Sequence, residues 1–133
     1  MENDRPYPKR IIVDFDGTIC GFAFPDTGPP EPHVQEGLQK LKNAGFEIVI
    51  HSIRINKNWG FASQCKHLSI IETYMSVHNL PYDEILVNPG KPFAMAYIDD
   101  RAVQHKGDWL ETAQETLKMI REKDVQENKT VTK

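Results

Sequence analysis

The strongest constraint on the fold is the segment Ile-Ile-Val-Asp-Phe-Asp-Gly-Thr, residues 11–18. Its apolar β-forming residues run directly into two carboxylates that are separated by one residue. Such a run is typical of a strand buried on both faces, as in a parallel sheet. Ligands of open α/β sheets bind beyond the carboxyl ends of the strands. We therefore expect Asp14 and Asp16 to face one reaction centre, with Gly17 allowing the tight turn that follows.

The rest of the chain alternates strands with helices. Apolar periodicity predicts further strands at 46–50, 84–87 and 93–98, and amphipathic helices from 31 to the stop at Gly45, at 62–79 and at 109–121. The last helix carries Leu110, Ala113, Leu117 and Ile120 on one face. Strands that alternate with helices predict an α/β fold with a mainly parallel sheet. We expect one domain with a core at about 10–121 and a frayed tail at 122–133.

The composition excludes several classes of function. A net charge of −3 gives no electrostatic footprint for nucleic acid or an anionic membrane. No apolar run has the length of a transmembrane helix, and the first residues do not resemble a signal peptide. Cys20 and Cys65 fit neither a disulfide framework nor a zinc site. These features favour a cytoplasmic protein.

Residues 11–18 resemble the first motif of the haloacid dehalogenase (HAD) superfamily, which is Asp-x-Asp-Gly-Thr after a hydrophobic strand. The other three motifs of that superfamily have counterparts here in the same order. They are Ser52 at the end of the next strand, Lys91 in Gly-Lys-Pro, and the pair Asp99-Asp100 after a hydrophobic strand. The resemblance implies a three-layer, Rossmann-like HAD fold.

The resemblance also implies covalent phosphoryl transfer. Asp14 would attack phosphorus and form an aspartyl-phosphate. Asp16 would protonate the leaving oxygen and then act as general base on the hydrolytic water. Ser52 would donate a hydrogen bond to a phosphoryl oxygen, and Lys91 would offset the negative charge of the transferring group.

The implied cofactor is Mg²⁺. In the superfamily its ligands correspond to the Asp14 side chain, the Asp16 main-chain carbonyl and the Asp99 side chain, with Asp100 in an outer or water-mediated position. Mg²⁺ prefers hard oxygen ligands of this kind. Adjacent carboxylates would also repel one another without a cation, which is an independent argument for a metal.

Four residues beside these motifs are assigned to substrate binding: Gly17, Thr18, Ile53 and Arg54. Backbone N–H groups at the two strand ends are expected to complete a phosphate cradle. For Arg54 and Arg101, two interpretations stay open, which are phosphate binding and surface ion pairing. His51 alternates with Ser52 along the strand, so we expect it to pack.

The segment 19–30 is too short for a folded cap domain, so the chain resembles a capless member. An open site suits a bulky substrate, or a site closed by a second subunit in a homo-oligomer. Aromatic side chains in the flanking loops could either form a rim of the site or pack against the domain; these are Phe22, Phe24, Trp59 and Phe61.

The function expected is therefore that of a Mg²⁺-dependent phosphomonoester hydrolase acting on a small sugar phosphate or nucleotide. One alternative is a polynucleotide or protein phosphatase of the same fold, although the acidic net charge disfavours nucleic acid. Another is a HAD-fold protein that binds phosphorylated ligands without turnover. A receiver-type signalling domain is disfavoured because its acceptor carboxylate would follow the third strand and its paired acids the first.

Overall fold

The computed structural model of the protein describes residues 8–87 and 92–131. It confirms the predicted α/β class, with a Rossmann-like arrangement of helices and parallel strands. The strands are β1 (Arg10–Val13), β2 (Glu47–Ile50), β3 (Glu84–Ile85) and β4 (Ala96–Ile98). The helices are α1 (Val34–Asn43), α2 (Phe61–Val77) and α3 (Trp109–Val131), and two short 3₁₀ turns cover Ile53–Ile55 and Lys57–Trp59.

The sheet places β1 at its centre. The strand order is β3-β2-β1-β4, and every pairing between these four strands is parallel. Val13 at the end of β1 is in register with Ile50 of β2 and Ile98 of β4. The carboxyl ends of these strands therefore meet at one edge of the sheet, which is where the polar motifs follow.

The two faces of the sheet are covered unequally. On one face, side chains of β1 and β2 pack with Leu38 of α1 and with Ile71 and Met75 of α2 in one large cluster. On the other face, Ile12 and Val49 are buried with Ala94 in a much smaller cluster. Both central strands are thus buried on both faces, as the apolar run predicted.

The bounds of several elements differ from the prediction. Helix α1 begins at Val34, after His33 in a left-handed conformation, and ends before Gly45, whose φ of 96° makes it the expected stop. Strands β3 and β4 are shorter than predicted. Helix α3 continues to Val131, beyond the predicted end at 121, so it includes most of the segment that was predicted as a frayed tail. That segment contains no Gly or Pro to end the helix.

The apolar stripe of α3 faces solvent. Leu110 is 83% exposed and Leu117 is 58% exposed, so the stripe is not part of the core. Polar contacts hold this helix instead, since Thr112 is buried against His105 and Lys123 contacts Asp100. Within the part of the chain that is described, no helix combines the length and apolarity needed to cross a bilayer.

Candidate active site

The predicted motif residues come together where the strands end. Asp14 follows β1 directly, and its N–H donates to the carbonyl of Ile98 in β4 at 3.0 Å. The N–H of His51 donates to the carbonyl of Val13 at 3.0 Å, which places Ser52 just beyond the end of β2. Backbone pairing therefore brings the first, second and fourth motifs to one edge. Lys91, predicted as the third, lies outside the described residues.

Three carboxylates form an acidic cluster, which consists of Asp14, Asp99 and Asp100. One oxygen from each lies within 4.8 Å of the others. Burial raises the pKa of Asp14 to about 7; the backbone N–H of Phe15 opposes this shift, and the charges of the two neighbouring carboxylates add to it. Positive charge bound beside Asp14 would favour its charged form.

The acidic cluster fits a divalent cation. Its donors are carboxylate oxygens, which hard cations prefer. The Oδ1 atom of Asp100 is buried and has no hydrogen-bond partner among the residues the structure describes. A buried oxygen without a partner is costly, and a cation would satisfy it. The side chain of Asp16 is not part of this cluster, and the predicted role of its main-chain carbonyl as a ligand stays a prediction.

Gly17 makes room for Asp100. Its φ is +80°, and a Cβ atom built on it would lie 2.3 Å from Oδ2 of Asp100. Its N–H donates to the carbonyl of Cys20 at 2.8 Å, and the N–H of Thr18 donates to that of Phe15 at 3.2 Å. The turn therefore uses both N–H groups internally, and the assignment of Gly17 and Thr18 to substrate binding stays a prediction.

Arg54 forms a buried ion pair with Asp16. Its side chain is completely buried, and its Nε and Nη2 atoms donate to the two carboxylate oxygens of Asp16 at 2.7 and 2.8 Å. Nη1 also donates to the carbonyl of Pro25 at 2.9 Å, and Nη2 to that of Asp26 at 2.6 Å. The assignment of Arg54 to substrate binding is thus wrong in this structure, since its donors are directed at the protein itself.

Aromatic side chains enclose this guanidinium. The Arg54 Cζ atom lies 4.9 Å from the ring centroid of Phe24 and 5.6 Å from that of Phe15. Phe24 in turn contacts Trp59 at 5.6 Å and His67 at 5.9 Å between ring centroids. Burial lowers the pKa of His67, as does the positive charge of Arg54. A neutral imidazole is therefore the form compatible with this cation.

The loop between β1 and α1 is anchored to the domain. Arg54 holds its middle through the two carbonyls named above, and Tyr74 of α2 donates its hydroxyl to the carbonyl of Gly28 at 2.8 Å. Burial, together with the charge of Asp16, raises the pKa of the Cys20 thiol to about 11, so this cysteine is held as an unreactive thiol.

Ser52 caps a 3₁₀ turn and also lines the cavity described below. Its Oγ accepts the N–H of Arg54 at 3.1 Å and so caps the first 3₁₀ turn. Because that oxygen acts there as an acceptor, the hydroxyl proton can still be donated to a ligand. Ile53 is 66% exposed and His51 is half-buried. Both line the cavity described next, so His51 does more than pack into the core.

A cavity of about 720 Å³ opens at this edge of the sheet. Its floor carries the motif residues Asp14, Asp16, Ser52 and Asp99. Its walls come from the loops after β1, β2 and β4, through Phe22, Phe24, Ile53, Ile55, Asn56, Asn58, Trp59 and Arg101. Of the four loop aromatics, Phe61 is 80% exposed and is absent from these walls.

Sequence reasoning missed Lys123. This residue of α3 places its Nζ atom 2.8 Å from Oδ2 of Asp100, at the edge of the acidic cluster. It lies in the segment that was predicted to be frayed. The absence of Gly and Pro from 122–131 was the one available signal, because it lets α3 extend far enough to reach Asp100.

No family model matches the chain, and no curated protein matches it. Two solved structures are similar. A conserved protein from Bacteroides thetaiotaomicron is 26% identical with a TM-score of 0.56, over 86% of this chain and 90% of that one. A target protein from Vibrio cholerae is 33% identical with a TM-score of 0.51, over 83% of this chain and 98% of that one.

Proposed function

We infer that this chain, which belongs to the same family as the Vibrio cholerae protein, is a capless HAD-type phosphatase that hydrolyses phosphomonoesters with Mg²⁺. The observation that carries this proposal is the position of Asp14 at the end of the central strand. There it is grouped with Asp99 and Asp100, and Ser52 follows the adjacent strand. The substrate is a small sugar phosphate or a nucleotide.

Asp14 is the nucleophile in this proposal. Its carboxylate lines the cavity floor and can attack phosphorus to form an aspartyl-phosphate. The side chains of Asp14, Asp99 and Asp100, with the main-chain carbonyl of Asp16, would hold Mg²⁺. When bound, the ion supplies positive charge that favours ionised Asp14 and draws charge from the phosphoryl oxygens.

Asp16 is the general acid and base. The ion pair with Arg54 fixes the orientation of its carboxylate. Asp16 also lines the cavity, so as a carboxylic acid it can give its proton to the leaving oxygen, and as the resulting carboxylate it can take a proton from the hydrolytic water, which restores the acid. Arg54 is a positioning residue in this scheme, because it acts through Asp16.

Ser52 donates a hydrogen bond from its hydroxyl group to a phosphoryl oxygen. Its own orientation is fixed, since Oγ already accepts the N–H of Arg54. The cation expected from the third motif is Lys91, which would offset charge on the transferring group. This role of Lys91 remains a prediction from the sequence.

The proposal is tested by phosphate release from a panel of phosphomonoesters, measured with Mg²⁺ and with a chelator. We expect Mg²⁺-dependent release that falls roughly a thousandfold or more in Asp14→Asn, because loss of a covalent nucleophile has effects of that order or larger. Asp124→Asn is the matched control, since it makes the same chemical change at an exposed position of α3. Metal-dependent turnover by a folded Asp14→Asn protein would overturn the nucleophile assignment.

A further inference from the structure

The walls of the cavity above the acidic cluster are mainly aromatic and aliphatic. Phe22 and Phe24 come from the loop after β1, and Ile53, Ile55 and Trp59 come from the two 3₁₀ turns after β2. The polar groups of the floor are the motif residues, which the proposed reaction uses at phosphorus. The part of the substrate that leaves with the oxygen therefore meets mostly apolar surface.

We propose that the leaving group of the substrate carries a flat aromatic ring, which binds against Trp59 and Phe24. This inference rests on the proposed phosphatase function and specifies its substrate class. Aromatic rings gain from stacking on such side chains in addition to the gain from apolar burial. A sugar phosphate would instead leave several hydroxyl groups against apolar walls, where an unmade hydrogen bond is costly.

Two of the aromatic wall residues are already fixed in place. The Phe24 ring is held by the Arg54 guanidinium at 4.9 Å and by Trp59 at 5.6 Å. Trp59 also contacts His67 at 5.7 Å between ring centroids, yet 40% of its surface stays exposed. Rings that are fixed before binding lose little conformational freedom when a ligand stacks on them.

The size and the remaining polar groups of the cavity agree with such a ligand. A volume of about 720 Å³ lies well inside the range of pockets that enclose small organic molecules, and it exceeds what a phosphate group alone requires. Asn56 and Asn58 add amide groups to the same wall. Amides can bind the polar edge of a heterocycle, as in a nucleobase.

The test compares three phosphomonoesters: adenosine monophosphate, phenyl phosphate and glycerol 3-phosphate. kcat/KM is measured with the wild-type protein and Mg²⁺, and equilibrium binding is measured by calorimetry with Asp14→Asn. We expect the two aromatic compounds to exceed glycerol 3-phosphate by roughly tenfold or more in both measurements. Higher values for adenosine monophosphate than for phenyl phosphate would indicate that the site recognises a nucleoside. Equal values for the two compounds would indicate that it recognises a simple aryl group.

Variants of Trp59 test whether the aromatic wall of the cavity causes the preference for aromatic substrates. Trp59→Leu should remove most of the aromatic preference, and Trp59→Phe should retain it, which also guards against a folding defect in the first variant. Trp109→Leu is the matched control, because Trp109 is exposed on α3 and does not line the cavity. An aromatic preference that Trp59→Leu leaves intact would overturn the proposal.

The two proposals fail in different ways. Hydrolysis of all three compounds at similar kcat/KM would leave the phosphatase function standing and overturn aromatic recognition. Selective binding of the aromatic compounds without hydrolysis of any would support aromatic recognition and overturn the phosphatase function.

Discussion

Asp14 and Asp16 are separated by one residue and have opposite electrostatic environments. The Asp16 carboxylate receives two hydrogen bonds from the buried guanidinium of Arg54. The Asp14 carboxylate faces two further carboxylates, and burial with their repulsion raises its pKa to about 7. One region of the site is therefore neutralised by a two-point ion pair, whereas the other groups three carboxylates, of which Asp100 is contacted by Lys123.

The contrast indicates how one strand end can supply two chemical roles. Neighbouring titratable groups whose environments differ in this way commonly divide the work of acid–base and nucleophilic chemistry. The ion pair of Arg54 with Asp16 also anchors the loop after β1, because Arg54 binds the carbonyls of Pro25 and Asp26. The acidic cluster of Asp14, Asp99 and Asp100 is the place where a divalent cation would be stabilised.

Removing the guanidinium should have the largest effect on stability. Arg54→Met leaves Asp16 buried without its partner, and breaking a buried ion pair in this way costs about 3–5 kcal/mol of unfolding free energy. Urea denaturation measures the change. The double variant Asp16→Asn, Arg54→Met is the control, and it should lose less because no buried charge is left unpaired. Equal stability of the single and double variants would contradict the role of the ion pair.

A methyl group at position 17 should disturb the acidic region by a smaller amount. Gly17→Ala places a Cβ within 2.3 Å of Asp100 and requires a left-handed φ of +80°, so we expect destabilisation of about 1–3 kcal/mol. Gly37→Ala is the matched control, because it lies inside α1 with no atom within 4 Å of the added Cβ. That change should be neutral or stabilising. Thermal unfolding of both variants measures these changes in stability. A Gly17→Ala protein as stable as the wild type would contradict the close approach of Asp100.

A further expected effect is a pH dependence of stability that comes from Asp14. Its pKa is raised on folding, mainly by burial, from 3.8 to about 7, so the folded protein binds this proton more tightly than the unfolded chain. The resulting stabilisation is complete below about pH 4 and is lost as the pH rises through about 7.

Without a divalent cation, the Tm of the wild type should therefore fall by a few degrees relative to Asp14→Asn between pH 5 and pH 8. Mg²⁺ at pH 8 should raise the wild-type Tm more than that of the variant. The titration of Asp83 does not contribute to the change in Tm between pH 5 and pH 8. Burial alone would raise its pKa, but hydrogen bonds from Lys42 and the Ile48 N–H lower it overall, so its contribution is lost only in stronger acid. A Tm difference that is independent of pH would refute the environment described for Asp14.

The sequence predicted which strand ends carry the polar motifs, but it did not predict the partners of each side chain. Asp14, Ser52 and Asp99 were placed correctly at one edge of the sheet, because parallel strands bring their carboxyl ends together. Arg54 was left open between phosphate binding and ion pairing. Its actual partner, Asp16, is 38 residues away in the chain, and no local pattern reveals such a contact.

The apolar stripe of α3 shows the same limit. Its period predicted the helix correctly, yet Leu110 and Leu117 face solvent while Thr112 is buried. Periodicity determines which residues share a face of a helix, and only packing decides which face turns inward.

By itself, the sequence determined the α/β class, the order of the elements and the edge at which chemistry gathers. Hydrophobic periods of two kinds, together with the polar residues that end them, are local properties of the chain. The tertiary structure alone decided that Arg54 compensates Asp16, that Asp100 packs over Gly17, and that Lys123 reaches the acidic cluster. These contacts join distant segments, and they form only when the sheet, the loops and the last helix are packed together.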